Sequence, residues 1–432
     1  MTCNALPLTD DTPLPEVARL CLSAGRLMLL TGANGRMVHE AITDIAHVLG
    51  CDKVEVFCQH AAILVTIQRG SESFLQMSKA PEHGVNLRRT QAVQQIIRDL
   101  ASRKLDCAAA QLAIDGVPQT AEAYPVWFVC LCTGLACSAF GRLLGADWPS
   151  FLPILVASAG GQWLRYVLLH QRHNSFVVAG VISFVAASVA GLGARLCGSA
   201  HAPIATVAAV LLLVPGVAVL NAQVDILEGK PNLAAARALR VLYLLMFMAL
   251  GLVLAQALVI GSESIVGGAP SAPMSLSILQ IPHQAFFGGV AAFGFAVLFN
   301  CHPRMLPLCF GAGALALAVR TMGQEHGASL AAASFFAALV LAIANKLWHE
   351  SPSPRGAVLA VVGVIPMIPG SLAAKVFISV FAFLRSGQSQ GVEATVATWD
   401  NLMMLIFTLA AIGTGLALPS LIPAARISEE AE

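Results

Sequence analysis

Two Pro-Gly pairs inside apolar segments are the strongest chemical signal in this sequence. Pro215-Gly216 and Pro369-Gly370 lie 154 residues apart, each within a stretch long enough to span a bilayer. Proline removes a backbone donor and clashes with the preceding helical turn, so each pair predicts a broken helix. Free backbone groups are tolerated at that depth only beside protein or a water-lined cavity. Two breaks of opposite direction could therefore bind the two ends of a zwitterion, and the alternative is a pair of packing kinks without a ligand.

Polar side chains follow the first break. Asn221 and Asp225 are four residues apart, so a helix places them on one face. Asp225 lies about 13 Å beyond Gly216 at 1.5 Å per residue, near the end of its segment. Because an ionised group inside a span costs roughly 2.5–3.5 kcal/mol on insertion scales, Asp225 is a candidate for coupling or substrate access. The alternative is an interfacial carboxylate paired with Lys230 or Arg237.

Other charged and polar residues are candidates of the same kind. Lys375 follows the second break by five residues, as Asn221 follows the first. It could attract a carboxylate, or it could extend to the outer interface. His283 and Asn300 flank the sixth apolar segment and are secondary candidates. Arg165 and Arg320 close the second and seventh segments, and we expect both to reach the interface.

The sequence predicts no metal site, no cofactor and no catalytic residue. Cys301-His302 is a lone pair of ligand-type residues with no second cluster near it in sequence. A turn between Gly32 and Gly35 precedes a helix and could hold an anion there, but no strand precedes it, so we favour a simple turn. The N-terminal region has no nucleophile elbow. We therefore predict that the chain is not an enzyme.

The elements that must position these residues are mainly membrane helices. Hydrophobic residues make up 57% of the 432 residues and charged residues only 11%, against roughly 25% charged in ordinary globular chains. This composition excludes a soluble enzyme, a nucleic-acid binder and a disordered protein, and it implies contact with membrane lipid. Of the 49 charged side chains, 24 lie in the first 124 residues. The chain is predicted to have a polar head and an apolar body.

The apolar body contains ten segments, each near the roughly 20 residues that a span requires. They cover residues 125–144, 149–168, 175–197, 203–225, 237–260, 284–300, 304–322, 327–348, 355–384 and 396–418. Each Pro-Gly pair lies in the fourth segment of a set of five. Because five is odd, the second set must enter the membrane upside down. We therefore predict a polytopic α-helical membrane protein of about ten transmembrane helices in a 5+5 inverted repeat, a plan common among secondary transporters.

The polar head is predicted to be a cytoplasmic α+β domain. Helical patterns cover residues 15–31, 34–49, 87–103 and 107–114, and strand patterns cover 53–58, 62–68 and 73–78. The predicted domains are residues 1–122, then a first membrane half at 123–262 and a second at 280–422. No signal-peptide pattern is present, and Lys and Arg favour the flanks on the head's side by twelve to five. We expect both termini in the cytoplasm and the chain in the inner (plasma) membrane.

Several stretches together resemble the threonine/serine exporter family of bacteria and fungi. The resemblance covers roughly residues 15–418 in order, through Leu27-Met-Leu-Leu-Thr-Gly-Ala33, Val54-Glu-Val56, 63–67, 83–87, Val214-Pro-Gly216 followed by Asn221, Asp225 and Gly229, Leu298-Phe-Asn300 and Ile368-Pro-Gly370. It implies efflux of threonine and serine driven by the proton motive force, and it implies that Asn221 and Asp225 matter for transport. A split version of the family, with its halves on separate chains, is associated with dicarboxylate export. A hydrolase activity has been suggested for the family's head, but this sequence contains no triad to support it.

The leading interpretation is thus a proton-coupled exporter of small polar amino acids. Its expected partners are a small-molecule substrate and lipid, without nucleic acid, and the sequence leaves a homo-oligomer open. The alternatives are a dicarboxylate exporter in which Lys375 is the anion partner, a membrane-anchored hydrolase, and a receptor or channel with a ligand-sensing head.

Overall fold

The computed structural model describes residues 12–80, 84–120, 122–261, 280–348, 354–386 and 392–421. The chain divides into two compact units. The first, called the head unit here, contains the chain up to Tyr124 together with Val217–Val241 and Phe299–Pro303. The second, called the helical unit, contains Pro125–Gly216, Leu242–Leu298 and the chain from Arg304 onward.

The N-terminal part of the head unit packs four helices with a three-stranded antiparallel sheet in the order β1-β2-β3. The elements are α1 (Leu14–Leu30), α2 (Gly35–Val48), β1 (Lys53–Cys58), β2 (Ala62–Arg69), β3 (Glu72–Lys79), α3 (Leu87–Ala101) and α4 (Cys107–Thr120). Side chains alternate between the two faces of β2, so Ile63, Val65 and Ile67 share one face and are completely buried in the hydrophobic core between the sheet and the helices. Asn34 begins α2 as an N-cap, since its Oδ1 accepts a hydrogen bond from Met37 N at 2.9 Å.

The remaining α-helices in the described parts of the chain number twelve, and they follow one order twice. They are α5 (Val126–Leu143), α6 (Phe151–His170), α7 (Ser175–Leu196), α8 (Ala202–Val210), α9 (Gly216–Leu227) and α10 (Pro231–Ala255), then α11 (Gln280–Leu298), α12 (Leu306–Glu325), α13 (Leu330–Trp348), α14 (Pro354–Val364), α15 (Gly370–Ser386) and α16 (Val392–Leu421). In both series a short 3-10 turn precedes the second helix and another follows the fourth. The first helices of the two series pack closely, because Gly294 of α11 faces the backbone of Cys132 in α5.

The chain is a polytopic membrane protein. Within the described ranges, seven helices are long and apolar enough to cross a bilayer, or nine if each of two bent helix pairs is one span. The bent pairs are Ala202–Leu213 with Gly216–Leu227 and Leu359–Met367 with Gly370–Ser379. Ten spans were expected. The eighth segment is helical, but its described apolar part, Leu330–Lys346, is a shorter helix, about 26 Å at 1.5 Å per residue against a hydrocarbon core of about 30 Å.

A polar cluster joins two turns of the helical unit. Asp147 Oδ1 accepts hydrogen bonds from Ser150 Oγ at 2.6 Å and Ser199 Oγ at 2.7 Å, and Asp147 Oδ2 accepts one from Ala200 N at 2.9 Å. Partial burial raises the pKa of Asp147, but these hydrogen bonds and the nearby His201 outweigh burial and lower it to about 2. The turn before α6 is thereby tied to the turn before α8.

Candidate functional site

The two Pro-Gly breaks have the same backbone geometry. The residue before each proline is extended, with φ −64° and ψ 119° at Val214 and φ −63° and ψ 121° at Ile368, because a following proline disfavours the helical conformation. The following glycine N–H then donates to this residue's carbonyl, at 2.9 Å for Gly216 and 2.7 Å for Gly370. A 3-10 turn precedes the break in each series.

The same two breaks contact each other reciprocally within the helical unit. A Cβ atom built at Gly216 would lie 2.8 Å from Ile368 Cδ1. A Cβ built at Gly370 would lie 3.1 Å from Val214 Cγ2 and from Leu211 Cδ2. The structure therefore brings together Pro215-Gly216 and Pro369-Gly370, which the sequence singled out separately, and a Cβ at either glycine would require a neighbouring side chain to shift.

Arg320, which was expected to extend to the interface, lies at the second break and contacts its backbone. Its Nη1 donates to the carbonyl oxygen of Met367 at 3.3 Å. Met367 is the last residue of the 3-10 turn before the break, so its carbonyl is one that the interrupted helix leaves free. The Nε of Arg320 is buried and has no hydrogen-bond partner among the described residues.

Two other candidates lie elsewhere in the helical unit. Lys375 is half-buried in α15, five residues after the break. His283 packs its ring on Phe287, with centroids 4.7 Å apart, and its Nε2 lies 3.5 Å from Arg142 Nη2. Arg142 in turn lies over the ring of Trp148 at 4.6 Å. His283 is therefore part of an aromatic and cationic contact between α5 and α11 and is not beside the breaks.

Asp225 is fully buried in the head unit and has two partners. Its Oδ2 accepts a hydrogen bond from Arg237 Nη1 at 2.7 Å in a buried ion pair. Its Oδ1 accepts one from Gly35 N at 2.8 Å. Gly35 is the first residue of α2, so the anion at this helix N-terminus is a carboxylate of the protein itself. Of the two pairings considered for the structural alternative, the structure has the one with Arg237.

Two more side chains bind the same turn through its backbone. Asn221 Nδ2 donates to Gly32 O at 2.8 Å, and Arg237 Nη2 donates to Ala33 O at 2.9 Å. Together, Asn221, Asp225 and Arg237 form what we call the loop clamp on residues 32–35. Asn221 and Asp225 were expected to share one face of their helix, and both bind this one loop. Gly32 has φ +90°, which suits glycine alone in such a turn.

Asn300 belongs to the head unit and joins the turn Phe299–Pro303 to α3. Its carbonyl accepts a hydrogen bond from Arg88 N, and its Nδ2 donates to Asn86 Oδ1 and to Glu122 O, each at 3.2 Å. Asn300 also has a positive φ of 53°, which asparagine tolerates better than most residues. In this structure Asn300 fixes a turn.

In the parts of the chain that the structure describes, no group of three or more His, Cys, Asp or Glu side chains could hold a metal ion. Cys301 is buried, and its carbonyl accepts a hydrogen bond from Tyr124 at 2.9 Å.

The sequence reasoning named Gly35, Arg237 and Arg320 but not all of their contacts. The turn from Gly32 to Gly35 was considered as an anion site and Arg237 as a partner of Asp225, but nothing in their spacing shows that Asp225 is the anion or that Arg237 also donates to Ala33 O. Arg320 was named as a residue that closes the seventh segment, and its contact with Met367 O at the break has no signal in the sequence.

Comparison with known proteins gives the family. The family model of the threonine/serine exporters matches residues 19–259, more than half of the chain, and a second model, described as Threonine/Serine exporter, matches residues 284–422. No solved structure matches the chain.

Relatives among curated proteins match between a third and about half of the chain. A Klebsiella aerogenes protein named "Probable succinate transporter subunit YjjP" is 30% identical over 229 residues, which is 53% of this chain and 88% of the relative. Its namesake in Escherichia coli K12 is 29% identical over 222 residues, 51% of this chain and 86% of the relative. An uncharacterized Haemophilus influenzae protein is 30% identical over 150 residues, 34% of this chain and 50% of the relative. With both family models matching in order on one polypeptide, this chain is a membrane exporter that belongs to the threonine/serine exporter family.

Proposed function

We propose that this protein exports threonine and serine across the inner membrane as a secondary transporter coupled to the proton motive force. The observation that carries the proposal is the reciprocal contact of the two Pro-Gly breaks, together with family membership. The substrate sites of secondary transporters are typically formed by unwound segments of broken helices. Family membership also favours transport over the hydrolase and sensor alternatives.

The two helix series are proposed to form a 5+5 inverted repeat. Supporting this, α5–α10 and α11–α16 follow the same order, with 3-10 turns at matching places. The breaks also share backbone angles and hydrogen bonds. An inverted repeat would let one half rock against the other around a fixed site. Ten spans would place both termini on one side of the membrane, and the distribution of Lys and Arg favours the cytoplasm for the head and both termini.

The substrate is proposed to bind at Pro215-Gly216 and Pro369-Gly370. Backbone carbonyls freed at one break can accept hydrogen bonds from an ammonium group, and free N–H groups of the other can donate to a carboxylate. Lys375, half-buried and one helical turn beyond the second break, would add positive charge on the carboxylate side.

Coupling is proposed to act through Asp225 in the loop clamp. Asp225 is the one acid among the described residues that is wholly buried, and its charge is matched by Arg237. A proton on Asp225 would cancel its attraction for Arg237 and weaken its hydrogen bond from Gly35. The hold of α9 on residues 32–35 would then depend on Asn221 alone.

The experiment is efflux and exchange of labelled threonine in proteoliposomes, with and without a pH gradient. Asp225→Asn should abolish gradient-driven accumulation while threonine–threonine exchange persists. The matched control is Glu228→Gln, which removes a half-buried acid three residues away that pairs with Arg36 at 3.1 Å. Gradient-driven transport by Asp225→Asn at the wild-type level would refute the coupling role.

Dicarboxylate export is the second candidate, and the names of the Klebsiella and E. coli relatives favour it. Its sequence-based support is Lys375 as an anion partner. Competition in the same vesicles separates the two candidates, because succinate should block labelled threonine transport only if the site accepts dicarboxylates. If succinate is carried and threonine is not, the substrate assignment changes while the transport mechanism stands.

A further inference from the structure

We propose that Arg320 binds a carboxylate group of the transported substrate at the second break. This inference rests on the proposed transport function and gives its site a specific ligand. It concerns a residue that the loop clamp and the Pro-Gly pairs do not include.

The first argument is the cost of an unmatched charge. A guanidinium inside a span is expensive unless it is paired or faces a polar pathway. Among the described residues, no Asp or Glu carboxylate lies within ion-pair distance of Arg320, and its one hydrogen bond goes to Met367 O. Arginine carries five N–H donors arranged to fit a carboxylate with two parallel bonds. Its buried Nε lacks a partner in the described chain, and a carboxylate would satisfy it.

The second argument is depth. Arg320 is the fifteenth residue of α12, and Met367 follows the start of α14 by thirteen residues. At 1.5 Å per residue, Arg320 lies about 21 Å from the start of α12 and about 8 Å from its end, so the helix extends past it by at least one turn on both sides. The charge therefore lies at the level of the break, where a substrate held by freed backbone groups would also lie.

The third argument is a counterpart in the first series. Arg165 is the fifteenth residue of the twenty-residue α6, just as Arg320 is the fifteenth of the twenty-residue α12. Arg165 is half-buried as well, but within the described part of the chain it makes no hydrogen bond equivalent to that of Arg320 with Met367. Each helix series thus has one arginine at the same position, and the two arginines differ in their hydrogen bonding. Such a difference between its two halves is expected of an alternating-access transporter in a single state.

A purely structural role for Arg320 makes a different prediction. If Arg320 only satisfies the freed carbonyl of Met367, a neutral donor of similar reach should replace it. A carboxylate site instead requires positive charge, so the wild type should bind ligands without a carboxylate more weakly, and Arg320→Gln should lose this discrimination.

The test uses purified full-length protein in proteoliposomes and in detergent, with threonine, succinate and threonine amide as probes. Arg320→Gln should raise the KM for the carried carboxylate at least tenfold, and the Tm rise that this ligand gives the wild type should vanish. Arg320→Lys should retain part of both effects. Threonine amide should compete weakly with threonine in the wild type, and its effect should be unchanged in Arg320→Gln. The control is Lys346→Gln, which removes an exposed charge that bonds Pro419 O in the same unit.

A wild-type KM and ligand-induced Tm shift in Arg320→Gln would overturn the carboxylate site while leaving transport intact. If Arg320→Gln does not fold, Arg320→Lys decides, since a structural cap predicts an unchanged KM and a carboxylate site predicts a KM raised at least threefold. If the wild type neither carries nor is stabilised by threonine or succinate, the proposed function and this site fail together.

Discussion

The carboxylate of Asp225 accepts a hydrogen bond from the backbone N–H of Gly35, which lies 190 residues earlier in the chain, at 2.8 Å. Asp225 is in α9, the helix that begins at the first break, and Gly35 begins α2 of the head. The carboxylate of Asp225, near the end of α9, thus accepts a hydrogen bond from a free N–H group at the start of α2. Movement of α9 and movement of the loop at residues 32–35 are therefore linked by this contact.

The buried pair of Asp225 and Arg237 should behave as a unit. We expect Asp225→Asn or Arg237→Gln alone to destabilise the protein by about 3–5 kcal/mol, because each leaves a buried charge without its partner. The double variant should lose less than the sum of the two, since it removes both charges. The measurement is thermal unfolding in detergent, with Glu228→Gln as the control. Additive losses in the double variant would show that the pair is not coupled.

Gly35 should not tolerate a side chain. An added Cβ would lie 2.9 Å from Leu233 Cδ2, 2.9 Å from Lys230 Cδ and 3.0 Å from Asp225 Oδ1. Gly35→Ala should therefore lower stability by roughly 1–3 kcal/mol through overpacking. The matched control is Gly84→Ala, where a Cβ meets nothing within 4 Å. Equal Tm values for the two variants would contradict the described packing of α2 against α9.

The contact between the two Pro-Gly breaks can be tested by adding a methyl group on one side and removing one on the other. Gly216→Ala should reduce transport, because the new Cβ would lie 2.8 Å from Ile368 Cδ1 and displace that side chain. Ile368→Val removes that atom, so the double variant should regain much of the transport rate. Gly160→Ala in α6 is the control, since its Cβ would meet nothing within 4 Å. Failure of Ile368→Val to rescue Gly216→Ala would argue against direct contact of the breaks.

Acid should weaken the link that Asp147 makes between two turns. Its pKa in the folded protein is about 2, below the ordinary value of 3.8. The carboxylate therefore contributes stability that is fully present above about pH 4 and is lost as the pH falls towards 2. We expect the Tm of the wild type to fall more steeply than that of Asp147→Asn over this range. Asp400→Asn, at an exposed position of α16, is the control and should follow the wild type.

Local sequence rules predicted much of the fold. The Pro-Gly pairs break their helices because proline acts on its own preceding turn. The i, i+4 spacing likewise placed Asn221 and Asp225 on one face. Each of these predictions depends on neighbours in sequence, which a single sequence displays directly.

Contacts between residues far apart along the chain could not be predicted from local sequence rules. Nothing near Asp225 in sequence indicates Gly35, and nothing near Arg320 indicates Met367. The turn Phe299–Pro303 was expected to lie between two spans, and its hydrogen bonds to the start of α3 place it in the head unit. Periodicity and hydropathy identify faces and segments, but they do not identify which backbone atom a polar side chain meets.

The loop clamp contacts the turn at residues 32–35 through two carbonyls and one amide, and through none of its side chains. Such a contact constrains conformation and volume more than chemical identity. Substitutions that preserve the turn should therefore leave the clamp intact, whereas Asn221, Asp225 and Arg237 cannot change without losing a bond. In a saturation mutagenesis experiment, Gly32 and Gly35 would be restricted by backbone conformation and side-chain volume, whereas Asn221, Asp225 and Arg237 would be restricted by their hydrogen-bonding groups.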